Sequence, residues 1–402
     1  MPRRDTSTPA RQPEIELLRV VAMVAVFAVH AAEPFNPWDA WHVQSHERSK
    51  WLGELVLFLA PWVMPLFILL AGAGAWHSLG KRSPREYVHE RVTRLVIPLA
   101  GGILLLVPPQ VYYDRRQRGM FDGSFFEFYP HFFEGFYPKG NFTWSHLWFL
   151  GILAVLALIT LPLFLWLRTP RGRRAMAWVG KVCTPPGAIL LLVLPMMGLR
   201  FAFWAAFPDG RPIIADWSNR TVILLMFIYG FMIAGEATLL RAVDRQWKLA
   251  LGVAGVFAVV MFAWAWPGDL TQRFAVPFTP RYVFFWCAYA LGGLAWSIGL
   301  YGAARAVRFA PSRVFARVRE YLNPFYMLHQ TVIVVLVFYL LRAGAGPIMT
   351  FAWTFVAAFA LTVALCVLVM RPPLLRPLFG LRASVPPSSR PRAAGSFHHG
   401  YP

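Results

Sequence analysis

Arg19 and His30 stand in one apolar run, ELLRVVAMVAVFAVHAAEPF, about three helical turns apart and so on one face of a helix. An ionisable side chain inside such a run is costly unless it meets a polar cavity or a counter-charge, which makes both residues candidates for function. His30 titrates nearest neutrality of the common side chains and suits the removal of a proton from a hydroxyl. Glu33, about one turn beyond it, is spaced to hydrogen-bond the imidazole and fix its tautomer. Arg91 and Arg94, in RVTR, form a cationic pair at a helix start, a clamp suited to phosphates held at a membrane surface.

Two further polar islands interrupt apolar sequence. HLWFLGIL contains His146, Trp148 and Phe149; NPFYMLHQTVIV contains Asn323, Tyr326, His329 and Gln330. Asn323, Tyr326 and Gln330 recur at helical spacing as one stripe with His329 beside it, so this stripe faces protein or water rather than lipid. His42 and His46, with Asp39 nearby, have a spacing a metal could use, but a third convincing ligand is missing and no metal is expected. There is no Walker loop, Rossmann fingerprint or zinc-protease motif.

The elements that must carry these residues are membrane helices. The chain has 402 residues, 57% hydrophobic and only 14% charged, too little polar surface for a soluble domain of this size. A span needs roughly 20 mostly apolar residues. About ten stretches qualify: 15–34, 52–78, 92–112, 146–167, 185–206, 219–240, 248–266, 282–302, 321–341 and 347–370. The expected fold is therefore all-α, a polytopic integral membrane protein with both termini on one side. Lys and Arg concentrate in the segments that share a side with the N-terminus, which predicts an N-in, C-in topology. Three parts follow: a cytosolic tail over 1–13, a membrane domain over 14–370 and a disordered cytosolic tail over 371–402, rich in Pro, Ser and Arg.

The net charge of +20 does not mark a nucleic-acid partner, because the basic residues fall in short clusters between apolar runs. Cys183, Cys287 and Cys366 are scattered and give no disulfide or metal spacing. The first apolar run is not read as a cleaved signal peptide, since it holds Arg19 and His30. The loop over 113–145 is dense in Phe and Tyr, either an aromatic anchor at the interface or the roof of a cavity. No internal repeat is visible, which weakens the alternative of a transporter or flippase of a lipid-linked or soluble glycan.

With Arg19 and His30, MPLFILLAGAG (64–74), Arg91 with Arg94, HLWFL (146–150) and FYMLHQTVIV (325–334), the chain resembles the acyltransferase-3 family of bacterial membrane O-acyltransferases over about residues 14–370. Within that family it is most similar to the glucan biosynthesis protein C group. The resemblance implies a ten-helix core in the bacterial inner membrane, with acyl-coenzyme A as donor on the cytosolic face and a carbohydrate hydroxyl as acceptor on the other. It also implies that His30 is the catalytic histidine, Arg19 its companion, and Arg91 with Arg94 the coenzyme contact. On this reading His329 stabilises the developing oxyanion or positions the acceptor. No cysteine or serine neighbours His30 in sequence, so direct transfer is the simpler expectation. The acyl group, of acetyl or succinyl class, the acceptor and the oligomeric state are left open.

Overall fold

The computed structural model describes residues 13–206, 212–265, 279–308, 310 and 312–381. The expected N-terminal tail before residue 13, and the C-terminal tail beyond residue 381, lie outside the described residues. Among the described residues the architecture is helical, with one isolated bridge between Phe136 and Phe142.

Helix α1 (Pro13–Ala32) ends in a 3-10 turn at Glu33–Phe35, where Pro34 removes a backbone donor. Ser49 caps α2 (Lys50–Leu79), accepting a hydrogen bond from the Leu52 amide. A capping box between Ser83 and Glu86 starts α3 (Pro84–Arg91), which passes through a π turn at Val92–Val96 into α4 (Ile97–Leu105) and α5 (Val107–Gln117). The aromatic loop holds the short α6 (Phe125–His131). Next come α7 (Trp148–Ile159) and α8 (Leu161–Leu167), bent by 51° at Thr160 just before Pro162. The remaining helices are α9 (Pro170–Val182), α10 (Val193–Ala206), α11 (Pro212–Gly235), α12 (Ala237–Val260), α13 (Pro280–Ala306), α14 (Arg313–Leu340) and α15 (Pro347–Met370).

Seven helical segments are long and apolar enough to cross a membrane, and the bent α7–α8 pair makes an eighth if it is one span. These match the expected spans at 15–34, 52–78, 92–112, 146–167, 248–266, 282–302, 321–341 and 347–370. Where 185–206 and 219–240 were expected to cross, the apolar helices among the described residues, Ala188–Phe203 and Thr221–Gly235, are shorter than a clear span. The chain is thus a multi-pass membrane protein with seven or eight clear spans among its described residues.

Helix α1 lies between two hydrophobic clusters. Leu18, Ala22, Ala25 and Val26 pack into a cluster with α2, α11 and α13, while Met23, Phe27 and Ala31 pack into another with α14. Arg19, Met23 and Phe27 follow at i, i+4 and i+8, with His30 one residue short of the next step, so the two candidate residues share the second face.

The described chain continues past the last membrane helix, to residue 381. Residues 376–379 form a 3-10 turn, Phe379 is buried, and the Asn323 side-chain amide donates to the Phe379 carbonyl at 2.8 Å. This strap lies against α4, where Leu378 meets Gly101. Within the segment from residue 371 that the sequence assigns to the tail, the apolar pair Leu378 and Phe379 packs with the second core cluster.

Candidate active site

One end of the molecule is ionic. Glu16 pairs with Arg319 at 2.7 Å, Glu14 with Arg305 at 3.3 Å, and Arg305 with Asp244 at 2.6 Å, tying the start of α1 to α12, α13 and α14. At the same end Glu90 gathers Arg82 at 3.0 Å, Arg94 at 3.5 Å and Arg91 at 4.0 Å, and accepts from the Ser78 hydroxyl at 2.9 Å. Arg91 lies over the Tyr87 ring, 4.6 Å from its centroid. One carboxylate thus faces three guanidiniums, which leaves a net positive surface.

A cavity of about 860 Å³ opens among these cations, with Arg19, Arg91, Arg94, Arg319 and Arg376 in its wall. Deeper, the wall turns apolar, with Met23, Phe67, Phe149 and Leu150, and Tyr326 also lines it. Arg19 and the expected clamp of Arg91 and Arg94 are therefore brought together. Gly74 explains part of the MPLFILLAGAG pattern: a Cβ there would sit 3.2 Å from the Arg19 guanidinium. Arg82, Glu90, Arg319 and Arg376 complete the basic mouth and carried no distinguishing signal in sequence, since they look like ordinary charges at helix ends.

Behind Tyr326 lies a cluster of histidines. The His329 ring is 5.9 Å from Tyr326, 5.4 Å from His146 and 5.3 Å from His30, centroid to centroid. Residues from α1, the start of α7 and α14 therefore converge. Trp41 stacks on the outer side of His30, with centroids 6.4 Å apart and planes at 24°.

The polar atoms of this cluster are held in a defined pattern. His146 Nε2 contacts the Met327 carbonyl at 3.1 Å, so that nitrogen carries the proton, and Nδ1 faces the Gln110 amide at 3.4 Å as an acceptor. The Tyr326 hydroxyl donates to the His146 carbonyl. His329 Nδ1 contacts the Tyr326 carbonyl at 2.6 Å and must likewise be the protonated nitrogen. Gln110, fully buried on α5, accepts from Ser145 at 2.7 Å and from Gln330 at 3.1 Å. Its amide donates to Thr331 at 2.8 Å, and Ser145 in turn meets His42 Nε2 at 3.1 Å.

Gln110, Ser145 and Trp41 were not among the sequence candidates. A lone Gln or Ser near a helix end is indistinguishable from surface polarity until its partners are known. His42 does belong to the site, as a hydrogen-bond partner of Ser145 rather than as half of a pair with His46.

One expected contact is absent among the described residues. Glu33 accepts from the Asn36 side chain at 3.0 Å in the turn after α1, and no hydrogen bond joins it to His30; the helix ends at Ala32, which carries Glu33 off the i+3 position. Asn323 lines the cavity with Tyr326 and also holds the strap. Trp148 packs at the edge of the first hydrophobic cluster, beside Phe149.

A multi-pass membrane protein with a buried histidine cluster set behind a basic cavity is built as an enzyme rather than as an inert scaffold. The chain belongs to the family whose model, described as an acyltransferase domain, matches residues 12–371. It is accordingly a membrane acyltransferase. A comparison with curated proteins found no match, and a comparison with solved structures found none.

Proposed function

We propose that this protein is a bacterial inner-membrane O-acyltransferase that takes an acetyl or succinyl group from acyl-coenzyme A on the cytosolic side and passes it to a hydroxyl of an extracytoplasmic carbohydrate or glycolipid. The observation that carries the reading is the cavity, whose cationic mouth narrows to an apolar throat ending at Tyr326, next to the histidine cluster. A thioester donor with a polyphosphate head, a long arm and a small acyl end has this distribution of polarity. Arg82, Arg91, Arg94, Arg319 and Arg376 suit the phosphates. Met23, Phe67 and Phe149 suit the arm.

The topology that goes with this reading is N-in and C-in, supported by the concentration of Lys and Arg on that side. The sequence motifs favour an acceptor like that of the glucan biosynthesis protein C group. In the reaction, His30 takes the proton from the acceptor hydroxyl, the oxygen bonds to the thioester carbonyl carbon, and the carbon–sulfur bond breaks. The proton held on His30 then passes to the departing sulfur, so the coenzyme leaves as the free thiol and His30 is neutral again. No group of the protein is consumed.

The test is transfer of label from acetyl- or succinyl-coenzyme A to a pool of bacterial glycans by membranes carrying wild type or His30→Ala at matched folded amounts. We expect label on glycan with wild type and a loss of at least about a hundredfold in the variant. Equal transfer by the two proteins would remove His30 from the chemistry.

A further inference from the structure

His30 Nδ1 and His329 Nε2 are both buried and both lack a hydrogen-bond partner. They belong to neighbouring rings, 5.3 Å between centroids with planes at 44°. A buried polar nitrogen without a partner costs free energy comparable to a lost hydrogen bond, so two of them side by side call for a reason. Much of the surroundings is apolar or already engaged. Phe27 and Phe325 flank His329 with apolar rings, 6.2 Å and 6.1 Å away. The Tyr326 hydroxyl is committed to the His146 carbonyl, and both His146 nitrogens are engaged with Met327 and Gln110.

The tautomers then follow in sequence. His329 Nδ1 must carry a proton, because it faces the carbonyls of Tyr326 at 2.6 Å and Phe325 at 3.2 Å, which only accept. A neutral imidazole protonated at Nδ1 presents a lone pair at Nε2. The form of His30 that satisfies that lone pair is the one protonated at Nδ1. His30 Nε2 is then the free base. A carboxylate usually performs this orienting task, and Glu33 is engaged elsewhere, with Asn36.

We propose that His329 is the positioning residue for His30: its Nε2 lone pair faces His30 Nδ1 and holds the Nδ1-protonated tautomer already in the resting enzyme, a contact that tightens to a hydrogen bond as donor and acceptor bind, and so presents His30 Nε2 to the acceptor hydroxyl. Catalytic hydrogen bonds often tighten only in the reacting complex, so the present ring separation is that of the resting enzyme. The chemistry at His30 Nε2 is that given above, with the acceptor proton taken there and delivered to the departing thiolate. His329 keeps its own proton throughout and stabilises the imidazolium through the shared Nδ1 proton. This assignment rests on the reading of His30 as the general base.

Two measurements test it together. In protein labelled with ¹⁵N-histidine, the His30 nitrogen shifts, assigned by loss of the signals in His30→Ala, report the tautomer without any donor or acceptor. We expect wild-type His30 protonated at Nδ1 and bare at Nε2, with that preference lost in His329→Leu. His329→Gln keeps an oxygen able to accept the same proton and should retain it. In the transfer assay, His329→Leu should lower kcat at least about thirtyfold with KM for the donor within about twofold, and His329→Gln should recover most of the loss. His30 protonated at Nε2 in wild type, or a folded His329→Leu that transfers at the wild-type rate, would overturn the proposal. Absence of transfer by wild type combined with the expected tautomer would instead count against the donor and acceptor classes and leave the pairing standing.

Discussion

His42 shows how one residue of the site answers to pH. It sits outside the membrane helices, in the turn between α1 and α2, and burial pushes its pKa down to about 4, with the Arg118 and Arg115 guanidiniums adding to the shift. In the unfolded chain the same group titrates near its ordinary value of about 6.5. Above that value both states hold it neutral and its contribution to stability is complete. As pH falls toward 4 the unfolded state gains protons that the folded state refuses, and stability drops. The midpoint of thermal unfolding in detergent should therefore fall between pH 7 and pH 5. His42→Gln, which keeps a donor for Ser145, should flatten that slope; an unchanged slope would assign the acid sensitivity to another group. At this scale the sequence was informative wherever an ionisable or amide side chain broke an apolar run, as at His30, His146, His329 and Gln330. It was silent on Gln110 and Ser145, whose meaning lies entirely in partners distant along the chain, Gln330 and Thr331 among them.

Among the elements, α2 and α11 approach closely enough that their glycines touch backbone. A Cβ on Gly72 would run into the Phe227 carbonyl, and one on Gly230 into the Leu69 carbonyl, so each helix uses a glycine to admit the other. Lipid supplies no hydrophobic drive between helices, and close backbone packing of this kind is what holds them. Gly230→Ala should cost roughly 1–3 kcal/mol or more, read as a lower unfolding midpoint or reduced yield. Gly252→Ala on α12, where a Cβ meets nothing within 4 Å, should be neutral or slightly stabilising. Matching losses at both positions would show that close approach is not the cause. Span positions were legible from apolar length, but not their internal breaks. The 51° bend at Thr160 and the π turn at Val92–Val96 depend on how neighbours accommodate Pro162 and the Arg91–Arg94 pair, which hydropathy does not encode.

The whole molecule has a basic, cavity-bearing end and an opposite end roofed by aromatic residues. Arg115 fastens that roof, donating to Asn141 at 2.8 Å and to the carbonyls of Pro138 at 2.9 Å and Gly140 at 2.7 Å, while Phe128 and Phe132 sink into the second cluster. The aromatic loop is thus folded onto the helices, with Phe126 and Phe136 left exposed. Orientation in the membrane is open to direct test, because Cys183 and Cys366 are buried and Cys287 is partly so. A membrane-impermeant thiol reagent added to intact spheroplasts should label a cysteine placed at the exposed His46 and spare one at the exposed Arg85 until the membrane is opened. The reverse pattern would invert the assignment of donor and acceptor sides.

The ion pairs at the start of α1 carry a consequence for synthesis. Glu14 meets Arg305 and Glu16 meets Arg319 across 291 and 303 positions of chain, and the His30 ring meets His329 at a similar remove. Helix α1 therefore waits until α13 and α14 have been inserted before Glu14 and Glu16 meet these cations and His30 meets His329. A chain lacking α14 holds α1 without the partners that α14 brings to it, Arg319 for Glu16 and His329 for His30.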